Sequence, residues 1–229
     1  MQAIILAAGK GTRMGTLTEN TPKPMLLVHG KSLITHKLEM LPEDVHEVIF
    51  IVGYLGSVIR EAYGDSYGGR SIRYIEQTDL NGTMGAVALA KPYITGRFVV
   101  MMGDDLYGTE DVLRACATSD WAMVVEETES MASGGKVIVS DDGLVIDIEE
   151  GEHHGTYGYM NTNLLVLDER VFDFPMVPKA EGSSEYGLPQ TVLAAAKAAG
   201  IPLHAVPATS WIQVTAPEDL EKAERLLRP

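Results

Sequence analysis

The sequence has a single cysteine, few basic residues and no long apolar run. Cys116 alone cannot form an internal disulfide or a thiolate metal cluster, so the composition does not require an oxidising compartment. The apolar run near the amino terminus, residues 3–8, is much shorter than a signal-peptide core or a membrane span. We therefore expect a cytoplasmic protein without a membrane partner.

Basic residues are outnumbered, with 18 Lys and Arg against 32 Asp and Glu and a formal net charge of -14. A general binder of nucleic acids or anionic membranes carries the opposite excess, so the composition argues against both partners. The charge is uneven, however. Residues 1–40 hold five basic and two acidic residues, a net of +3, which leaves -17 for the remainder. A small basic opening therefore precedes an acidic body.

Short apolar runs alternate with segments of helical period along the 229 residues. This alternation is typical of strand-crossover-strand units, and no repeat or Pro/Gly-rich linker divides the chain. We predict one domain over residues 1–229, an α/β Rossmann-like three-layer sandwich with a mostly parallel central sheet. Strands are predicted at residues 3–6, 47–52, 71–75, 98–102, 122–125, 136–139, 144–148, 163–167 and 203–206.

Helices are predicted over residues 32–41, over residues 109–117 and near the carboxyl terminus. Thr109 is the predicted cap of the second, and Thr215 with Glu218 forms a predicted capping box before the third. The predicted apolar stripe of the third helix is Leu220, Ala223, Leu226 and Leu227. An Asp-Asp-Gly turn at residues 141–143 predicts a small β-hairpin inserted into or beside the main sheet.

The segment after the first strand has the composition of an anion-binding loop. It reads Leu6-Ala7-Ala8-Gly9-Lys10-Gly11-Thr12-Arg13-Met14, and Pro22-Lys23-Pro24 follows. Small residues let backbone N–H groups approach phosphate closely, and Arg13 and Lys23 can add charge-assisted hydrogen bonds. Two commoner phosphate loops fit poorly: Met25 stands where a P-loop before residues 30–32 needs glycine, and Gly15 is one place late for a dinucleotide fingerprint.

Residues 6–14 and 22–24 resemble the opening signature of the sugar-phosphate nucleotidyltransferases, the nucleotide-sugar pyrophosphorylases. The resemblance implies an Mg²⁺-dependent enzyme that transfers a nucleoside monophosphate from an NTP to a sugar 1-phosphate and releases pyrophosphate, with UTP or dTTP favoured. Arg13 and Lys23 are then the catalytic cations, whereas Lys31 and Lys37 are expected to be ordinary surface residues. The implied nucleotide-binding residues of the loop are Leu6, Ala7, Ala8, Gly9, Gly11 and Thr12.

Two further segments resemble parts of the same family. Gln77, with Gly82 and Thr83 after it, resembles the base-reading segment, where an amide with a donor and an acceptor suits a pyrimidine edge. Asp104, after an apolar strand, resembles the residue that binds Mg²⁺, and a carboxylate at a strand's carboxyl end faces the ligand crevice of an α/β sheet. Asp105 is left as either a partner of Asp104 or a turn residue.

The sequence departs from the family at the position of the second metal ligand. Gln213 stands where relatives commonly carry an Asp, and a neutral amide oxygen attracts Mg²⁺ less than a carboxylate does. Gln213 is retained as a predicted ligand. The departure leaves two alternatives open, an enzyme with a weaker metal site or a non-catalytic nucleotide-binding regulatory protein.

A second departure concerns the acceptor. Residues 149–151 read Glu-Glu-Gly where many relatives carry Glu-Lys-Pro, whose lysine holds the acceptor's phosphate. Lys136 is the predicted substitute, and Asn161 and Glu185 resemble acceptor-binding residues. The missing lysine keeps a non-sugar acceptor open, such as phosphocholine or a polyol phosphate.

The resemblance divides the chain into a half that binds nucleotide and metal, residues 1–121, and a half that binds acceptor, residues 122–229. The expected partners are an NTP and a phosphorylated small molecule, and a homo-oligomer stays open. No protein nucleophile is required, because the acceptor's phosphate is already an anion at neutral pH. His153 and His154 lack further spaced ligands and are expected in an exposed loop.

Overall fold

An eight-stranded sheet forms the centre of the computed structural model, which describes residues 1–226. The strands are β1 (Gln2–Ala7), β2 (Leu27–Val28), β3 (Lys31–Ser32), β4 (Glu47–Val52), β5 (Ser66–Tyr67), β6 (Arg70–Glu76), β7 (Arg97–Met102), β8 (Leu106–Tyr107), β9 (Trp121–Val139), β10 (Val145–Asp168), β11 (Leu203–Pro207) and β12 (Trp211–Ile212). The helices are α1 (Leu33–Met40), α2 (Gly56–Tyr63), α3 (Thr83–Ala88), α4 (Thr109–Cys116), α5 (Leu188–Ala199) and α6 (Pro217–Leu226).

The central sheet has the order β11-β9-β10-β7-β1-β4-β6-β5. Strands β7, β1, β4 and β6 are parallel neighbours, and β9 and β11 also pair in parallel. Strand β10 is antiparallel to both β7 and β9, and β5 is antiparallel to β6. The predicted mostly parallel sheet is therefore confirmed. Because the parallel register places Leu6 beside Met102 and Ala7 beside Val52, the carboxyl ends of β1, β7 and β4 meet at one edge.

Both faces of the sheet are covered by helices, which explains the continuous apolar runs of its central strands. Side chains of β1 alternate between the faces: Ile4 and Leu6 pack with α3 and α5, whereas Ile5 and Ala7 pack with α1, α2 and α4. The predicted three-layer sandwich is confirmed. Within the described chain, no helix combines the length and hydropathy needed to cross a membrane.

The predicted hairpin exists but is much larger than a small insertion. The four short strands predicted at residues 122–125, 136–139, 144–148 and 163–167 belong to only two strands, β9 and β10. Glycines such as Gly134 and Gly151 interrupt the side-chain pattern, but they pair with each other, so the ladder continues. The register is irregular, and Tyr159 pairs with residues 127 and 137. The base of the hairpin therefore belongs to the central sheet, and its outer part forms a wall beside it.

Helix caps differ in detail from the prediction. Ser32 caps α1 through Oγ, which accepts from the Thr35 N–H at 3.0 Å. Gly108, not Thr109, is the N-cap of α4, because the helix begins at Thr109. No side-chain hydrogen bond caps the helix there. Before α6, the Asp219 carboxylate, not that of Glu218, accepts from the backbone N–H groups of residues 215 and 216 at 2.7 and 2.8 Å. Of the predicted stripe, Ala223 is buried and Leu226 is exposed, and Leu227 lies outside the described residues.

Candidate active site

A first cavity, here called the loop cavity, opens where the chain leaves β1. Its lining residues are Leu6, Ala7, Gly9, Gly11, Thr12, Arg13, Lys23, Pro24, Met102, Asp104 and Thr215. Gly11 has a φ of 63° and packs so closely that a Cβ there would lie 2.9 Å from Lys23 Cβ. A glycine at this point therefore lets the loop turn and lie against the lysine. Arg13 is exposed, and Pro24, Met102 and Thr215 line the cavity without having been predicted as site residues.

Lys23 and Asp104 form an ion pair inside the loop cavity. The Lys23 Nζ to Asp104 Oδ2 distance is 2.6 Å, and the two side chains are 10% and 25% exposed. Asp104 follows β7, whose end is held to β1 by a hydrogen bond of 2.8 Å from the Gly103 N–H to the Leu6 carbonyl. The pair therefore places one cation and one anion, both predicted from the sequence, against the same space.

Behind Asp104 lies a buried charged cluster, which the sequence did not predict. Lys37, expected at the surface, is fully buried, and its Nζ donates to the carbonyl oxygens of Leu33, at 3.1 Å, and of Asp105. The Asp105 carboxyl is also buried and accepts from Trp211 Nε1 at 3.3 Å. Asp105 is therefore buried and hydrogen-bonded to Trp211, and it is not a turn residue at the surface. Lys37 falls on the apolar stripe of α1 with Leu33, and that position was the available signal of burial.

Burial shifts the proton affinities of this cluster in opposite directions. Desolvation raises the pKa of the Asp105 carboxyl to about 7, and the neighbouring Asp104 carboxylate adds to the rise. Desolvation also lowers the pKa of the Lys37 ammonium to about 8, against the attraction of Asp105 and Asp104. The cluster anchors α1, the end of β7 and β12 to one another beneath the loop cavity.

A second cavity, the Gln77 cavity, adjoins the first and shares Leu6, Gly9 and Met102 with it. Its lining residues are Leu6, Ala8, Gly9, Gln77, Leu80, Gly82, Thr83, Ala86, Met102 and Glu185. Gln77 follows β6 and is buried, and its Nε2 lies 3.5 Å from Asn81 Oδ1. Gly82 has a φ of 100°, and a Cβ there would collide with the backbone of Tyr186. The predicted base-reading residues thus lie around one space.

A third cavity, the hairpin cavity, lies beside the outer part of β9 and β10 and shares Thr83 and Glu185 with the Gln77 cavity. Its lining residues are Thr83, Ser133, Gly134, Gly135, Glu150, Met160, Asn161, Asn163, Lys179, Glu185, Tyr186, Gly187, Pro189, Gln190 and Gln213. Of the predicted acceptor residues, Asn161 and Glu185 are present. Lys136 does not line this cavity, and its aliphatic stem lies against Gly158.

Two residues of the hairpin cavity change the sequence-based interpretation. Lys179, which no motif singles out, is a cation of the lining. Gln213 lines this cavity and not the loop cavity that holds Asp104. The structure therefore brings Asp104 together with Lys23 and Arg13, whereas it places Gln213 with the acceptor residues.

Hydrogen bonds connect the two loops that lie between the Gln77 cavity and the hairpin cavity. The Met84 N–H donates to the Tyr186 carbonyl at 3.0 Å, and the Tyr186 N–H donates to the Asn81 carbonyl at 2.8 Å. The Leu188 N–H donates to Thr83 Oγ1 at 2.9 Å. The loop before α3 and the loop before α5 therefore form one wall between the two spaces.

The charged side chains of the loop cavity suit an Mg²⁺ ion that is bound partly by the phosphates of a substrate. In residues 1–226, no group of three His, Cys, Asp or Glu side chains is arranged to hold a metal ion. Mg²⁺, however, is commonly bound by one or two carboxylates together with water and substrate phosphates. Asp104, on a cavity that also carries Arg13 and Lys23, fits that mode of binding.

Comparison with known proteins shows the family of the chain. The family model described as Nucleotidyl transferase matches residues 2–227. The chain is 30% identical to the Bifunctional protein GlmU of Methanocaldococcus jannaschii over 99% of its own length, but it spans only 54% of that relative. It is 28% identical over its full length to UTP--glucose-1-phosphate uridylyltransferase AglF of Haloferax volcanii, and covers 97% of it.

Solved structures share the fold. A putative glucose-1-phosphate thymidylyltransferase from Bacillus anthracis, solved in complex with a sucrose, superposes with a TM-score of 0.83 at 24% identity, covering 100% of this chain and 95% of that one. HddC from Yersinia pseudotuberculosis superposes with a TM-score of 0.72 at 24% identity, covering 99% of each chain. The resemblance inferred from the opening motif is confirmed by the family match.

Proposed function

Because the chain belongs to the nucleotidyl transferase family, we propose that it transfers a nucleoside monophosphate from an NTP to a sugar 1-phosphate and releases pyrophosphate. The observation that carries the proposal is the Lys23–Asp104 pair in a cavity that adjoins the Gln77 cavity, which in turn adjoins the hairpin cavity. UTP and dTTP are the favoured donors, since the names of AglF and of the Bacillus anthracis protein specify uridylyl and thymidylyl transfer.

In this proposal the donor lies across the loop cavity and the Gln77 cavity. The base meets the Gln77 amide and the backbone at Gly82, and the triphosphate follows residues 8–13. Arg13 stabilises the departing pyrophosphate. Lys23 neutralises the α-phosphate, and for this its ammonium exchanges the Asp104 carboxylate for phosphate oxygens when substrate binds.

Mg²⁺ is part of the proposal, and Asp104 is the residue that would hold it. When bound, the ion supplies positive charge that offsets the charge of the phosphate oxygens. Gln213 is left out of this metal site because it lines the neighbouring hairpin cavity. The protein's own contribution is to hold the phosphates between the cations of Arg13 and Lys23.

The chemical step needs no protein nucleophile. An oxygen of the acceptor's phosphate attacks the α-phosphorus, and a new phosphorus–oxygen bond forms as the bond from the α-phosphorus to the bridging oxygen breaks. The electron pair of the broken bond leaves on pyrophosphate, which departs opposite the attacking oxygen. Positioning and charge neutralisation are therefore the two tasks of the site.

We place the acceptor in the hairpin cavity, so residues 122–229 supply most of its contacts and residues 1–121 those of the donor. Asn161 and Glu185 bind its polar groups. Lys179 replaces Lys136 as the cation for its phosphate, because Lys179 lines the cavity and Lys136 does not. A cytoplasmic location completes the proposal.

Pyrophosphate release tests this function directly. The protein is incubated with Mg²⁺, each NTP in turn and a panel of phosphorylated acceptors, and release is followed with and without acceptor. Acceptor-dependent release with UTP or dTTP and a sugar 1-phosphate is the expected result. Release only with phosphocholine or a polyol phosphate would replace the acceptor class, whereas NTP binding without release under any acceptor would favour the regulatory alternative suggested by Gln213.

A further inference from the structure

We propose that the acceptor carries a protonated primary amine as well as its phosphate, and that Glu150 binds this ammonium group in the hairpin cavity. The inference rests on the proposed transfer to a phosphorylated acceptor, and it specifies a second charged group on that acceptor. It follows from the charges of the cavity and from how the Glu150 carboxylate is held there.

The hairpin cavity has an excess of negative charge. Its charged lining residues are Glu150, Glu185 and Lys179. Throughout residues 1–226, neither glutamate has a Lys, Arg or His nitrogen within ion-pairing distance. If Lys179 holds the acceptor's phosphate, both carboxylates are left without a counter-charge from the protein.

The Glu150 carboxylate is fixed in position by its neighbours. Its Oε1 accepts from Gln190 Nε2 at 2.8 Å. Gly135 lies opposite Glu150 in the β9–β10 ladder, and a Cβ there would be 2.9 Å from Oε1 and 3.7 Å from Asn161 Cβ. The absence of a side chain at this position therefore gives the carboxylate room to lie across the strand towards Asn161.

The Gln190 amide is oriented by its hydrogen bond to Glu150, because only its Nε2 group can donate to the carboxylate. Its Oε1 is buried against Gly187, where a Cβ would collide with it, and it has no hydrogen-bond partner within the described chain. A neutral amide donor orients the carboxylate but leaves its full negative charge. Holding such a charge in a partly enclosed space costs free energy, which a cationic ligand group would recover.

The lining favours a primary ammonium over a quaternary one. Quaternary ammonium groups are recognised by cages of several aromatic rings, and in the part of the cavity that the structure describes Tyr186 is the one aromatic residue. A primary ammonium instead has three N–H donors. The Glu150 carboxylate and the oxygen atoms of Asn161 and Glu185 offer it acceptors of the appropriate kind.

Two matched pairs of acceptors test the proposal. Pyrophosphate release is measured with glucosamine 1-phosphate against glucose 1-phosphate, and with phosphoethanolamine against phosphocholine. We expect kcat/KM to be at least about tenfold higher for the primary amine in one pair or both, the usual effect of a hydrogen bond to a charged group. Equal or better use of the neutral or quaternary member in both pairs would overturn the amine inference and leave the proposed function standing. Pyrophosphate release that does not depend on any acceptor would overturn both the amine inference and the proposed function.

Variants locate the effect at Glu150. Glu150→Gln keeps the shape of the side chain, and it should lower kcat/KM about tenfold more for the amine acceptor than for its neutral partner, mainly through KM. Glu149→Gln is the matched control, because Glu149 is exposed on the same strand and does not line the cavity. An equal loss with both acceptors would mean that Glu150 only supports the fold, and it would contradict the proposal.

Discussion

The loop cavity and the hairpin cavity adjoin the same Gln77 cavity, yet they differ in charge and in construction. The loop cavity has Arg13 and Lys23 against Asp104, and it lies at the carboxyl ends of adjacent parallel strands. The hairpin cavity has Lys179 against two glutamates, and it lies beside a ladder of irregular register. Strands of regular register thus hold the cations expected to perform the chemistry, whereas strands of irregular register hold groups that we propose to select the acceptor.

Removing a cation of the loop cavity should have the largest effect. Arg13→Ala or Lys23→Ala is expected to lower kcat by about 10²- to 10³-fold, the usual loss for one preorganised electrostatic donor. Steady-state pyrophosphate release with saturating substrates measures it. Lys31→Ala is the control, since the Lys31–Glu39 pair is exposed at the surface. Near-native turnover in both active-site variants would refute the roles given to these cations.

The Mg²⁺ dependence of activity should change with substitutions in the loop cavity and not with substitutions in the hairpin cavity. Asp104→Asn removes the one carboxylate proposed for Mg²⁺, so the half-saturating Mg²⁺ concentration should rise about tenfold or more. Gln213→Asp should instead change the acceptor KM, because position 213 lines the hairpin cavity. Mg²⁺ titrations of activity distinguish the two. A large drop in half-saturating Mg²⁺ for Gln213→Asp would show that both positions serve one metal site.

Removing the cation of the hairpin cavity should weaken binding of the acceptor and not binding of the NTP. Lys179→Ala is expected to raise the acceptor KM about tenfold and to leave the NTP KM unchanged, because one charged hydrogen bond to phosphate is lost. Lys136→Ala is the matched control on β9 and should change neither constant much. The reverse ranking of the two variants would restore Lys136 as the phosphate-binding residue.

The last prediction concerns stability beneath the loop cavity and not turnover. Because the pKa of Asp105 is raised to about 7, the folded chain binds this proton more tightly than the unfolded chain. The corresponding stability is fully present below the ordinary Asp pKa and is lost as pH rises through about 7, at up to about 1.4 kcal/mol per pH unit. Urea unfolding of the wild type and Asp105→Asn at pH 5 and pH 8 measures it. An unchanged pH dependence in the variant would contradict the assignment.

The two cavities also differ in how far they could be predicted. The loop cavity is built mainly from two contiguous segments, and strand ends at Ala7 and Met102 meet because parallel neighbours end at one edge, so the sequence predicts most of its residues but not Thr215. The hairpin cavity collects Gly135, Glu150 and Lys179 from distant segments. The pairing of Gly135 with Glu150 depends on the register of two long strands, which glycines obscure in the side-chain pattern, and Lys179 comes from the segment between β10 and α5. Lys37 was misplaced for a related reason, because a buried ammonium depends on partners distant in sequence.

We propose that the loop cavity binds the nucleotide and the hairpin cavity binds the acceptor. A binding measurement tests these separate roles without turnover. Isothermal titration of UTP with Mg²⁺ into the wild type, Lys23→Ala and Lys179→Ala compares the cavities directly. We predict weaker nucleotide binding for Lys23→Ala and unchanged binding for Lys179→Ala. Loss of nucleotide affinity in Lys179→Ala, with native affinity in Lys23→Ala, would contradict the account.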